Sequence, residues 1–140
     1  RQWCLGAGED TICLGEIYQI GECLVEVSQG RMPCWKLNVR FDRPDMSLLL
    51  QETLWTGWYF RILREGHIEA GDDIYLMERP FPEWPLSKVT GLIFTGCMEE
   101  EALQSLLNAP LVNSWRKLVE RRLATGELED WSYRLYGEPK

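Results

Sequence analysis

Ser28-Gln29-Gly30-Arg31-Met32-Pro33-Cys34-Trp35-Lys36-Leu37-Asn38-Val39-Arg40 is the stretch on which the reading of this chain turns. Upstream, Cys23-Leu24-Val25-Glu26-Val27 alternates apolar and polar residues as a half-buried strand does, and downstream that period is lost. The change falls between Gly30 and Pro33. Proline suits the first position of a helix, where its missing N–H would have had no partner, so Pro33 is expected at that position and Cys34 directly after it. A thiol would then sit among free helix N–H groups, with Arg31 and Lys36 beside it, an environment that favours thiolate. Thiolate is a nucleophile or a soft-metal ligand.

Charge singles out the same stretch. The chain of 140 residues has a net charge of −7, which argues against a nucleic-acid partner. Within residues 31–43, however, Arg31, Lys36, Arg40 and Arg43 stand against Asp42 alone. This basic island suits a small anion such as a phosphorylated cofactor; the plainer reading is a set of solvated helix-face charges. With 45% apolar and 26% charged residues the composition is globular. No apolar run approaches the ~20 residues that span a bilayer, so no membrane partner is expected. The chain starts at Arg1 rather than Met, which is expected to reflect an upstream piece that was removed or not included.

Five cysteines, at 4, 13, 23, 34 and 97, form no CxxC pair, so a zinc ribbon or thioredoxin-type site has little support. Cys13 and Cys23 read as buried small hydrophobes, and Cys4 and Cys97 as incidental. The set suggests a reducing compartment and hence a cytoplasmic location.

Outward from the central stretch the chain divides into a strand-rich part, 1–79, a Pro-rich linker, 80–85, and a helical part, 86–140. Gly6 and Gly8 make a GxG of little weight. Residues 12–14, 16–20 and 22–27 are expected as strands of a tight antiparallel meander broken at Gly15 and Gly21. A helix should open at Pro44-Asp45, carry Met46, Leu49, Leu50 and Leu54 on one face and end at Gly57. Residues 58–63 and 73–78 read as further strands, with Trp58 and Phe60 on one face and Tyr59 on the other; His67, at a turn, is given no role. Pro80-Phe81-Pro82-Glu83-Trp84-Pro85 breaks both periodicities and marks a domain boundary. Helices are expected over 86–94, 99–107 and 113–124. In the last, Asn113 is the N-cap, Trp115, Leu118, Val119 and Arg122 share a stripe, and Gly126 lies past the end. The tail over 128–136 can fold back as one more turn. About five strands are too few to close a barrel of the usual ~6 to 8. A missing N-terminal half, a partner chain or a swapped segment would complete it.

The run from Cys23 to Asn38 resembles the signature of the MOSC domain, the C-terminal domain of molybdenum cofactor sulfurases, and within it the YiiM group of bacterial proteins. Thr56-Gly57-Trp58-Tyr59-Phe60-Arg61-Ile62-Leu63, Gly66 and Ala70-Gly71-Asp72 support the match, and Ser114-Trp115-Arg116 with Arg121-Arg122-Leu123 look like that group's C-terminal three-helix domain. Two departures stand out. The family usually has proline where this chain has Gly30, a change expected to loosen the turn, and the upstream barrel half with its His-Gly-Gly and Gly-Glu-Asn segments is absent.

The resemblance implies a mainly β fold with α, a partial MOSC β-barrel followed by a small three-helix domain. It implies a molybdenum cofactor (molybdopterin) bound through Cys34 as metal ligand and catalytic residue, with Arg31, Lys36, Asn38 and Arg40 placed for the pterin's phosphate and polar ring groups. The implied reaction is reductive removal of oxygen from N-hydroxylated compounds such as hydroxylaminopurine-type base analogues. No flavin, haem or iron–sulfur motif is visible and pyridoxal phosphate is not expected, so electrons would come from a separate reductase. Two other readings stand beside it: a carrier of cofactor or sulfur without turnover, and a structural remnant in which Cys34 is an ordinary helix-start residue.

Overall fold

The computed structural model describes residues 2–3 and 7–137; Cys4 and Gly6 lie outside them. The elements run β1 (Gln2–Trp3), β2 (Ile17–Ile20), β3 (Cys23–Gly30), α1 (Lys36–Arg40), α2 (Met46–Thr53), β4 (Trp58–Arg64), β5 (Ile74–Glu78), α3 (Leu86–Phe94), α4 (Glu100–Leu106), α5 (Asn113–Thr125) and α6 (Ser132–Tyr136). The fold is mixed, an antiparallel sheet in the order β1-β5-β2-β3-β4 followed by helices. No helix among the described residues is long and apolar enough to cross a membrane.

The alternation in β3 does what its period requires. Cys23, Val25 and Val27 are buried, and Tyr18 on β2 lies opposite Val25. Cross-strand pairing puts Phe60 opposite Val27 and Ile62 opposite Val25, so the apolar residues of β4 share that face. Trp58 and Phe60 meet edge-on at 6.4 Å, and Tyr59 is half exposed on the other side.

One hydrophobic cluster links this face to the helices: Ile12, Leu14, Tyr18, Val25 and Val27 pack with Val89, Ile93, Leu106, Trp115 and Val119. The helices cover only one end of it. Phe60, Ile62 and Ile74 remain 39%, 54% and 41% exposed, and the sheet does not close.

Several expectations need correcting. Residues 12–14 form no ladder strand; Cys13 makes an isolated bridge to Pro85, Leu14 N–H donates to Trp84 O (3.0 Å) and Leu86 N–H to Ile12 O (2.7 Å). Gly15, at φ 78°, donates its N–H to Val27 O and turns the chain away before β2, so the expected meander starts one strand later. Residues 84–86 are thereby tied to 12–14. α2 ends at Leu54, itself left-handed at φ 61°, rather than at Gly57. The residue before α5 is Val112, whose carbonyl already accepts the Trp115 N–H, so Asn113 is the first helical residue and no side chain caps that end. Gly126 closes α5 in the left-handed region as expected.

Arg122 on the α5 stripe is buried, and its position is explained by its partners. Its guanidinium grips Glu129 (Nη2 to Oε2, 2.7 Å) and donates to the carbonyls of Leu92, Ile93 and Cys97 at the end of α3. Leu92 O and Ile93 O also accept the Cys97 and Gly96 N–H groups (3.2 and 3.3 Å), so the guanidinium adds donors at a helix end that has few of its own.

Candidate metal and cofactor site

The central stretch leaves the sheet at Gly30, opposite Trp58, and Arg31 N–H extends the pairing to Gly57 O (2.9 Å). Gly30 is a buried strand end, which corrects the expectation of a loosened turn. A Cβ there would lie 2.6 Å from Thr90 Cγ2 and 3.3 Å from Trp115 Cη2. Only glycine lets α3 and α5 approach the strand so closely.

Residues 31–34 are irregular, and α1 begins at Lys36, so Pro33 and Cys34 precede the helix instead of forming its first turn. The Trp35 N–H is drawn out of any helical register by a bond to Arg134 O (2.7 Å), and the first helical contact is Leu37 N–H to Cys34 O (2.9 Å). A five-residue helix has little dipole to offer. The surroundings of Cys34 are therefore set by side-chain charge and packing. Cys34 is a free, half-buried thiol; Cys13 and Cys23 are free and buried.

Arg31, Lys36 and Arg40 are exposed and take part in no ion pair among the described residues, whereas Arg43 is neutralised by Asp45 (2.7 Å), whose carboxyl the pairing holds below its usual range. Asn38 is engaged on both sides: its Oδ1 accepts the Ser47 N–H (2.7 Å) and its Nδ2 donates to Leu135 O (2.9 Å). Its second amide hydrogen has no acceptor among the described residues.

Among the described residues no group of three or more His, Cys, Asp and Glu side chains converges as a metal site. Cys34 could contribute one sulfur, and a metal held there would bring its remaining ligands with it. One half-buried thiol flanked in sequence by three cations that make no ion pair among the described residues fits an anionic cofactor carrying its own sulfur donors.

Two concavities lie elsewhere. A cleft of about 460 Å³ lies between strands β2 to β5 and the α4–α5 loop, with Glu26, Arg61, Glu78 and Phe81 in its walls. A smaller apolar hollow of about 140 Å³ sits on the uncovered sheet face between Tyr18, Trp58, Phe60 and Ile74. Cys34 lines neither.

Sequence reasoning missed two groupings. Glu16, fully buried, accepts hydrogen bonds from Tyr18 Oη and Arg79 Nε, locking β2 to the chain after β5. Burial and the neighbouring Glu16 carboxylate push the Cys13 thiol up. The other is where the tail docks: the turn expected there is α6, and its carbonyls meet Trp35 and Asn38 beside Cys34, a long-range contact that no residue pattern signalled.

Comparison with known proteins agrees with this architecture. The MOSC domain model matches residues 4–75, and the model for the YiiM-like, 3-alpha helix domain matches 84–126. Protein YiiM of Escherichia coli is 31% identical over 134 residues, covering 95% of this chain and 59% of that protein. A protein of Gibberella moniliformis named a reductase is 34% identical over 116 residues, covering 82% of this chain and 21% of its own length. The crystal structure of YiiM from Escherichia coli superposes with a TM-score of 0.87 at 32% identity, over 94% of this chain and 66% of that one. The chain thus spans less than two thirds of the length of these relatives. With both parts matched in order and the fold shared, the chain belongs to the MOSC domain family, its MOSC part followed by a YiiM-like three-helix domain.

Proposed function

We propose that this chain forms the cofactor-holding wall of a molybdenum-dependent reductase that converts N-hydroxylated compounds, including hydroxylaminopurine-type bases, to the corresponding amines. The observation that carries the reading is the half-buried Cys34 thiol flanked in sequence by three cations that make no ion pair among the described residues. Family membership and a relative named a reductase support it.

Bound there, the molybdenum cofactor supplies a two-electron redox centre for N–O cleavage. Cys34 holds it through sulfur as thiolate. Arg31, Lys36 and Arg40 would balance its phosphate, the arginines by paired N–H donors, and Asn38 would offer its amide to the polar ring groups. Overall, R–NHOH takes up two electrons and two protons to give R–NH2 and water. The electrons come from a separate reductase. The uncovered Phe60, Ile62 and Ile74 take the rest of the barrel wall, from preceding chain or from a partner. Free thiols suit a cytoplasmic setting.

The test is metal analysis of the chain, alone and joined to an upstream barrel half, with Cys34→Ser alongside. Stoichiometric molybdenum that disappears in Cys34→Ser is the expected result; no molybdenum in either preparation overturns the reading. The alternative is a cofactor or sulfur carrier in which Cys34 holds its cargo without turnover. A carrier would bind molybdenum yet leave the N-hydroxy compound unchanged when an artificial electron donor is supplied.

A further inference from the structure

Cys34 sits between a strand end and a helix too short to persist alone, so tertiary bonds must fix its position. Those bonds come from the far end of the chain. Trp35, the next residue, donates its N–H to Arg134 O (2.7 Å). Leu135 O accepts from both Asn38 Nδ2 (2.9 Å) and Ser47 Oγ (2.6 Å), with Ser47 fully buried and Leu135 nearly so. These two carbonyls belong to the last turn of α6, where a helix has no acceptors' partners of its own. Asn38 Oδ1 meanwhile accepts the Ser47 N–H at the start of α2, a donor that the helix likewise leaves free. Gly137, at φ 81°, lies against the Trp35 ring, where a Cβ would stand 3.3 Å from the indole.

We infer that α6 is a clasp that fixes the Cys34 loop, with Asn38 and Ser47 as its positioning residues; as a device for function, it rests on the reading of Cys34 as the metal ligand. One end of each of two helices is satisfied by the same pair of side chains, so α6 cannot leave without stranding buried polar groups on α1, α2 and itself. Three hydrogen bonds tie α6 to the chain on the C-terminal side of Cys34, and a fourth, Ser47 N–H to Asn38 Oδ1, joins α1 to α2 beneath it.

The experiment uses the full chain without cofactor. It follows iodoacetamide alkylation of Cys34 by peptide-resolved mass spectrometry, with Cys97 in the same sample as reference, and hydrogen exchange at the Trp35 amide. Losing the Ser47 hydroxyl in Ser47→Ala should speed both Cys34 alkylation and Trp35 exchange about fivefold, the equivalent of ~1 kcal/mol for one hydrogen bond. Ser47→Thr, which keeps the hydroxyl, should restore the wild-type rates. Asn38→Asp keeps the acceptor for Ser47 N–H but turns an oxygen on Leu135 O, and it should give at least the same acceleration. Cys97 should not change. An unchanged Cys34 rate in Ser47→Ala and Asn38→Asp, a parallel rise at Cys97, or no restoration by Ser47→Thr overturns the inference. Failure to bind molybdenum would sink the proposed function and leave these rates untouched.

Discussion

Replacing Gly30 with alanine puts a methyl group into a space that does not exist. The new Cβ would lie 2.6 Å from Thr90 Cγ2 and 3.3 Å from Trp115 Cη2, against the ~3.5–4.0 Å at which carbon atoms rest together. Thr90 cannot easily turn aside, because it is fully buried and its hydroxyl donates to Leu86 O (2.8 Å). Trp115 is buried as well. Either α3 retreats or the end of β3 shifts. Overpacking of this kind costs ~1–3 kcal/mol, offset by ~0.5–1 kcal/mol for removing glycine's unfolded-state freedom. The net expectation is a loss of ~1–2 kcal/mol, read from urea unfolding of the full chain as a lower midpoint with unchanged slope. Thr90→Ser deletes the clashing methyl and keeps the hydroxyl. In that background, adding Gly30→Ala should cost less than ~0.5 kcal/mol. A Gly30→Ala chain as stable as wild type, or one whose loss Thr90→Ser does not relieve, would refute this account of the strand end that leads to Cys34.

Two further perturbations probe the interior. Arg122→Met leaves Glu129 without its cation and takes one donor from each of the carbonyls of Leu92, Ile93 and Cys97, and thermal or urea unfolding should show a loss of ~3–5 kcal/mol, with Glu129→Leu in the same chain recovering part of it. A loss below ~1 kcal/mol would show that the buried pair is not holding the end of α3. The Cys13 thiol, pushed up by burial and then by Glu16, is protonated in the fold at a pH where the unfolded chain has begun to ionise. Its contribution is therefore intact below the ordinary thiol range and lost as pH rises through that range toward the folded value. Between about pH 8 and pH 10, wild type should lose more stability than Cys13→Ala, measured by urea unfolding at each pH; equal losses would remove Cys13 as the cause.

Much of the fold could be read locally. The expected helix over 86–94 coincides with α3, and α4 and α5 fall within a residue or so of expectation, because their apolar period and flanking Pro and Gly lie within one or two turns. The burial of Cys13 and Cys23 followed from their apolar neighbours, and the turn in the tail became α6. The helix start at Pro33 misled for a definite reason. Proline permits a first helical position but does not enforce one, and the Trp35 bond to Arg134 O, from 99 residues away in sequence, moved the start to Lys36. Residues 12–14 carried a strand's composition, yet their donors and acceptors went to residues 84–86 instead of β2.

Sequence by itself determined the family signature, the period of each long element and the presence of a thiol inside a basic island, since these depend on residue identity and near neighbours. Tertiary structure alone decided how that thiol is held. It placed Asn38 and Ser47 under the Leu135 carbonyl, brought Thr90 and Trp115 against Gly30, and paired Arg43 with Asp45 while Arg31, Lys36 and Arg40 make no ion pair among the described residues. The physical reason is that a buried donor or acceptor must be satisfied by whatever the fold brings within about 3 Å, and that partner leaves no periodic trace in the sequence.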